Sequence, residues 1–115
     1  ALPILAFLTY LQEARLKMLF EMLGADFSPS YIVARNEIDY LQPLSISTEL
    51  LPLDLWIETI GRSSFTIAYE VFAPDASVVA RAKTVLVHLG ADGSPSPLPE
   101  NVRTRLERAQ DGAAA

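Results

Sequence analysis

The chain's 115 residues include one histidine, His88, and no cysteine, which narrows the chemistry it can carry. Without Cys there is no thiol nucleophile, no thiolate metal site and no disulfide framework, and one His does not make a zinc site. His88 has no acidic residue close by in sequence to orient it, so it is expected at a strand end or an interface rather than as a general base. Fourteen acidic against nine basic residues give a net charge of −5, and the isoelectric point is near 4.7. That balance argues against a nucleic-acid binder, because phosphate backbones need a basic field, and any anionic ligand must be held by a few local Arg or Lys residues. Arg81 and Lys83 lie two apart, on one face of any strand that carries them. Glu13 stands four residues before Lys17, the spacing of a helical ion pair, and Arg15 falls between Leu8 and Met22 on the apolar side of the same helix. A charge in that position is expected to pair with a carboxylate or with backbone carbonyls.

That helix is the stretch 3–24, PILAFLTYLQEARLKMLFEMLG. Pro3 suits a first turn, where no N–H is needed, and Gly24 suits the left-handed position just past the end. At 100° per residue Phe7, Leu8, Leu11, Ala14, Met18, Leu19 and Met22 share one broad face, widened by Leu16, Phe20 and Leu23. Thr9, Gln12, Glu13, Lys17 and Glu21 lie opposite. A helix this apolar, about 30 Å long at 1.5 Å per residue, is expected to be wrapped by other structure. Half of all residues are hydrophobic and the mean hydropathy is +0.25, so some apolar surface is expected to close an oligomer interface. The opening ALPILAFLTYL lacks the basic flank of a signal peptide and is too short before its first charge to span a membrane, which needs roughly 20 residues. The missing initiator Met leads us to expect coding sequence upstream of residue 1.

The rest of the chain reads as the wrapping. Ser-Pro-Ser at 28–30 is a loop, and YIVARNEIDYL alternates, with Ile32, Ala34, Ile38 and Tyr40 on one side and Arg35, Glu37 and Asp39 on the other. Pro43 ends that strand. Residues 44–52 are ambiguous. DLWIETI alternates up to Gly61, SSFTIAYEVFA keeps Phe65, Ile67, Tyr69 and Val71 in register, and Pro74-Asp75 turns the chain. SVVARAKTVLVHL is the longest strand, with Val79, Val85, Val87 and Leu89 on the side of Arg81 and Lys83. A proline-rich segment follows Gly90, and residues 100–110 read as a short polar helix. With no repeat or internal boundary, residues 1–115 form one α+β domain: a long helix, four antiparallel strands and a tail helix.

Five segments in this order carry a resemblance: YLQEAR at 10–15, EIDYLQPL at 37–44, IGRSSFTIAYEVF at 60–72, ARAKTVLVHL at 80–89 and PLPENVRTRL at 97–106. From Leu8 to Leu106 the chain resembles the hotdog-fold thioesterases of the 4-hydroxybenzoyl-CoA thioesterase and acyl-CoA thioester hydrolase type. The resemblance implies a curved sheet around the central helix, two protomers joining their sheets edge to edge, and a cytoplasmic homodimer or homotetramer. It further implies hydrolysis of an acyl- or aroyl-CoA at the dimer interface, with no metal or separate cofactor, no nucleic acid and no membrane. A carboxylate would serve as base or nucleophile, and backbone N–H groups at the helix start would polarise the carbonyl.

The sequence departs from the family at the helix start. The strand and the Asp-bearing catalytic loop of these relatives would fall before residue 1, and their His-Val-Asn-Asn-like stretch is matched by Ala1, Leu2, Pro3 and Ile4. The backbone N–H of Ile4 then stands where the oxyanion donor is expected. A second branch of the family carries its catalytic Glu within the helix, which makes Glu13 the substitute candidate, against the plainer reading of a solvated helix residue. Phe7, Leu8 and Leu11 would line the acyl pocket. Arg62, Ser63 and Ser64 would hold phosphate and pantetheine amides, and Arg81 and Lys83 the nucleotide phosphates. Two other classes follow the same pattern: an inactive hotdog protein that binds acyl-thioesters or serves as an oligomeric scaffold, and a hydratase, which would need an Asp/His pair that the sequence does not offer.

Overall fold

A computed structural model describes residues 3–27, 30–42 and 51–114. Helix α1 spans Pro3–Leu23, and Gly24 follows it with φ +56°, the left-handed stop expected of glycine there. The four strands are β1 (Tyr31–Tyr40), β2 (Leu53–Ile60), β3 (Ser64–Phe72) and β4 (Val78–His88), and helix α2 runs from Glu100 to Ala114. All neighbouring strands are antiparallel, in the order β1-β4-β3-β2, so β1 and β2 are edges. Pro43 and most of the ambiguous stretch 44–52 lie outside the described residues.

The inner face of the sheet is built from Phe65, Ile67, Tyr69 and Val71 of β3 and Ala80, Ala82, Thr84 and Leu86 of β4, all buried. Against it α1 presents Phe7, Leu11, Arg15, Leu19 and Leu23, a stripe at every fourth residue. The helix is therefore covered on one stripe rather than wrapped all round: Leu5 and Phe20 are more than half exposed. Helix α2 lies along β2 and buries Val102 and Leu106. Its Arg105 donates to the carbonyl of Leu23 and pairs with Asp26, closing the C-terminal end of α1.

Strand β1 does not alternate strictly. Val33 pairs with Leu86 and Arg35 with Val85, which leaves Ala34 as an extra residue. This bulge reverses the facing of everything before it. Ile32, opposite Val87, turns to the outer face, whereas Ile38 and Tyr40, opposite Ala82 and Ala80, face inward. The expectation that Ile32 and Ile38 share a face is corrected by that single residue.

Candidate functional site

The start of α1 has free donors, because the first N–H groups of a helix have no carbonyl one turn back; Pro3 has none to offer, so Ile4 supplies the first. Phe7, one turn on, is buried with its ring 5.7 Å from that of Tyr40. The helix therefore starts at the Tyr40 end of β1. Tyr10, near the same end, donates its hydroxyl to the carbonyl of Leu51.

Glu13 is exposed and makes no hydrogen bond or ion pair among the described residues; the pairing with Lys17 suggested by their spacing is not formed. Nine residues separate it from Ile4, which places it about 13.5 Å further along the axis and on the opposite side of the helix. One protomer cannot bring the Ile4 N–H and the Glu13 carboxylate to the same carbonyl.

Between α1 and the β1–β4 pair lies a cavity of about 220 Å³. Leu8, Leu11, Ile38 and Ala82 form apolar walls, and Gln12, Arg15, Asn36 and Thr84 supply polar groups. Arg15 is 7% exposed, and its Nη1 donates to the Tyr69 hydroxyl at 3.0 Å and to Thr84 Oγ1 at 3.2 Å. Tyr69 in turn donates to Thr84 (2.9 Å), and Thr84 to Asn36 Oδ1 (2.8 Å). Among the described residues the partners of Arg15 are two neutral hydroxyls, in place of the carboxylate or backbone carbonyls expected. Sequence reasoning placed Arg15 on the apolar face but did not count it among the site residues, and nothing in the spacing of Tyr69 and Thr84 announced them.

The residues expected to hold coenzyme fall into two separate places. Arg62, Ser63 and Ser64 form the β2–β3 turn, where the Arg62 carbonyl accepts from Arg103 and the Ser63 carbonyl from the amide of His88. This turn is at the Tyr31 end of β1, since Tyr31 pairs with His88. It stands about 30 Å from the Tyr40 end at 3.3–3.4 Å per residue. Arg81 and Lys83 project from the outer face, away from α1, with Glu70 at 3.1 Å from Arg81 and Glu58 at 2.9 Å from Lys83. The hydrogen bond and charge of Glu58 hold the Lys83 ammonium above the ordinary lysine value. His88 Nδ1 lies 3.0 Å from the Ser96 carbonyl, which can only accept, so Nδ1 carries the proton and the ring is anchored at a strand end. Among the described residues no cluster of His, Asp and Glu could hold a metal ion.

Beside His88, the Tyr31 hydroxyl is buried and has no hydrogen-bond partner among the described residues, its ring 5.5 Å from Phe27 and 5.0 Å from His88. Burial, followed by the charge of Asp26, pushes its phenol above the ordinary value of 10.0. The folded state thus resists an ionisation that the unfolded state accepts, so this contribution is intact below pH 10 and is lost as pH rises through the folded value. Tyr31→Phe is expected to leave stability at neutral pH unchanged or slightly higher and to flatten the alkaline loss, as checked by Tm at pH 7 and pH 11.

Residues 4–106 match the family described as the thioesterase-like superfamily. Among solved structures, a thioesterase from Thermus thermophilus complexed with coenzyme A and Zn is similar, with 31% identity and a TM-score of 0.76 over 92% of this chain and 78% of that one. A 1,4-dihydroxy-2-naphthoyl-CoA thioesterase from Synechocystis matches with 25% identity and a TM-score of 0.72, over 88% of this chain and 79% of that one. A Staphylococcus aureus protein in complex with CoA has the same fold at 10% identity, with a TM-score of 0.79 over 92% of this chain and 70% of that one. No curated protein sequence matches the chain.

Proposed function

The chain belongs to the thioesterase-like superfamily, and from that premise we propose that it hydrolyses the thioester of an acyl- or aroyl-CoA at a site completed by a second copy of itself. The observation that carries this reading is a helix start whose first N–H groups have no partner within the helix, beside an apolar strand edge that is unpaired among the described residues. Among the described residues strand β1 has no partner on its outer side, and Ile32, Val33, Tyr40 and Leu41 are between 41% and 48% exposed on or just after it. A ten-residue edge of this kind templates pairing with another strand unless it is covered. Antiparallel pairing of β1 with its own copy satisfies both edges under two-fold symmetry.

That symmetry also brings the separated groups together. It sets the Tyr31 end of one β1 beside the Tyr40 end of the other, so the turn Arg62–Ser64 of one copy approaches the helix start of the other. The coenzyme would lie across the junction. The acyl group would enter beside Phe7, Leu8 and Leu11, and the Ile4 N–H would polarise the carbonyl oxygen. Glu13, which cannot reach the thioester at its own helix start, would serve the second copy's. There its carboxylate takes a proton from water as the water oxygen bonds to the carbonyl carbon. The C–S bond then breaks, and the proton passes from Glu13 to the leaving sulfur, giving the free acid and the coenzyme thiol and restoring the carboxylate. Water and a carboxylate suffice for this chemistry, so no metal or cofactor is required. Arg81 and Lys83, already paired to carboxylates, would contribute only to the outer reach of the nucleotide. A dimer acting on a water-soluble thioester is expected in the cytoplasm, and no described helix is long and apolar enough to cross a membrane.

The test is a panel of acyl- and aroyl-CoAs followed with a thiol reagent, alongside sedimentation to establish the oligomer. Thiol release by a dimer or tetramer supports the proposal. The distance between Ile4 and Glu13 favours one other reading, an inactive module that binds acyl-thioesters or acts as a scaffold. Binding of acyl-CoA without turnover would establish that reading instead.

A further inference from the structure

We propose that the cavity between α1 and the β1–β4 pair is an acyl subsite that selects acyl groups ending in a carboxylate, with Arg15 as the residue that reads it; this deepens the thioesterase reading and rests on it. A guanidinium stays charged inside a protein, and it has five N–H donors. The two on Nη1 are used by Tyr69 and Thr84. The Nε–H and the two on Nη2 have no acceptor among the described residues, although Arg15 is more than nine-tenths buried. A buried charge held only by neutral hydroxyls leaves its field uncompensated.

The unused donors form one edge of the guanidinium, Nε with Nη2, which matches the two oxygens of a carboxylate. Arg15 lines the cavity, so that edge has a place for a ligand to reach. Leu8, Leu11, Ile38 and Ala82 would pack on a methylene chain or ring, while Gln12 and Asn36 stand beside the polar end. Glu37 and Lys83 also border the cavity, but their register turns their side chains to the outer face, so among the described residues no carboxylate competes there. At about 220 Å³ the space exceeds the roughly 150 Å³ that holds a benzene, leaving room for a short chain or ring and its carboxylate. Arg15 stands eleven residues beyond Ile4, about 16.5 Å along the axis, so the cavity takes only the far end of the acyl group, and the substrate class is a mono-CoA thioester of a dicarboxylic acid of medium chain length.

The experiment has two arms. The first compares sebacyl-CoA with decanoyl-CoA, equal in length and differing only in the terminal group, using the wild-type protein and Arg15→Gln. A site built around a polar group rejects an analogue lacking it. The wild type is expected to favour sebacyl-CoA by about tenfold or more in kcat/KM, and in Arg15→Gln the ratio of the two kcat/KM values is expected to fall to near one. The second arm needs no variant: the Arg15 Nε–H resonance is followed by NMR in the wild type during titration with hexanoate or with neutral hexanamide. A saturable shift with hexanoate alone supports the proposal, and it stands even if no thioester is cleaved, in which case the hydrolysis reading fails by itself. Hydrolysis of both thioesters at equal rates, or an Nε–H resonance that neither compound moves, overturns the proposal and leaves hydrolysis intact.

Discussion

Glu13→Gln is expected to lower kcat for acyl-CoA hydrolysis by about 10²–10⁴-fold while leaving the fold untouched. The separation of the two effects follows from the surroundings of Glu13. It is exposed on α1, it makes no hydrogen bond or ion pair among the described residues, and it lies near the middle of the helix, away from both ends of the helix dipole. Glutamine keeps its size and its capacity to accept a hydrogen bond, so the change in stability should remain within about 0.5 kcal/mol. What it loses is the ability to take a proton from water. Steady-state rates and a thermal melt on the same preparation check both halves. Hydrolysis undiminished in Glu13→Gln would assign proton abstraction to another carboxylate and reduce Glu13 to a solvated helix residue. A dimer also allows a sharper form of the test. Mixing Glu13→Gln with a variant blocked at the helix start, Phe7→Trp, should restore part of the activity if the two groups act across the interface, because a mixed dimer then retains one intact pair.

Much of this arrangement could be read in the residues themselves. The apolar stripe of α1, the stop at Gly24 and the strands around Trp56, Ile67 and Val85 follow from local periodicity and turn chemistry, and the structure has each of them. The distance between Ile4 and Glu13 was also there to be computed, since nine helical residues fix both the rise and the angle. The failures arise where a residue's role is set by one distant in sequence. Ala34 looks like any alternating position, and only pairing with β4 reveals the bulge that turns Ile32 outward. Arg81 and Lys83 looked free for phosphate because the carboxylates that hold them, Glu70 and Glu58, come from other strands. Phe20 belonged to the apolar arc by angle, but among the described residues only the edge of Phe27 reaches it, and it stays 56% exposed.

Thr84→Val is expected to cost about 3 kcal/mol, although the two side chains have nearly the same shape. Thr84 is 2% exposed, and its oxygen accepts from Arg15 and Tyr69 while its proton goes to Asn36. Valine removes all three bonds together and leaves the Tyr69 hydroxyl without its acceptor and a buried guanidinium with one contact fewer. Stranded buried groups cost about 1–3 kcal/mol each, and more when charged. Arg15→Met should behave differently. It removes the charge itself, and the chain from Tyr69 through Thr84 to Asn36 remains closed without it, so the loss should be about 1 kcal/mol or reverse sign. In the Arg15→Met background Thr84→Val strands no charge, and its cost should fall by at least about 1 kcal/mol, a coupling that urea denaturation of the wild type, both single variants and the double variant would resolve. Equal costs in the two backgrounds would mean that Thr84 acts through Tyr69, Asn36 and packing, and that Arg15 is satisfied elsewhere. If Arg15→Met costs as little as expected, the fold is nearly as stable with methionine at position 15. The guanidinium is then retained for what its unused edge binds rather than for what it holds together.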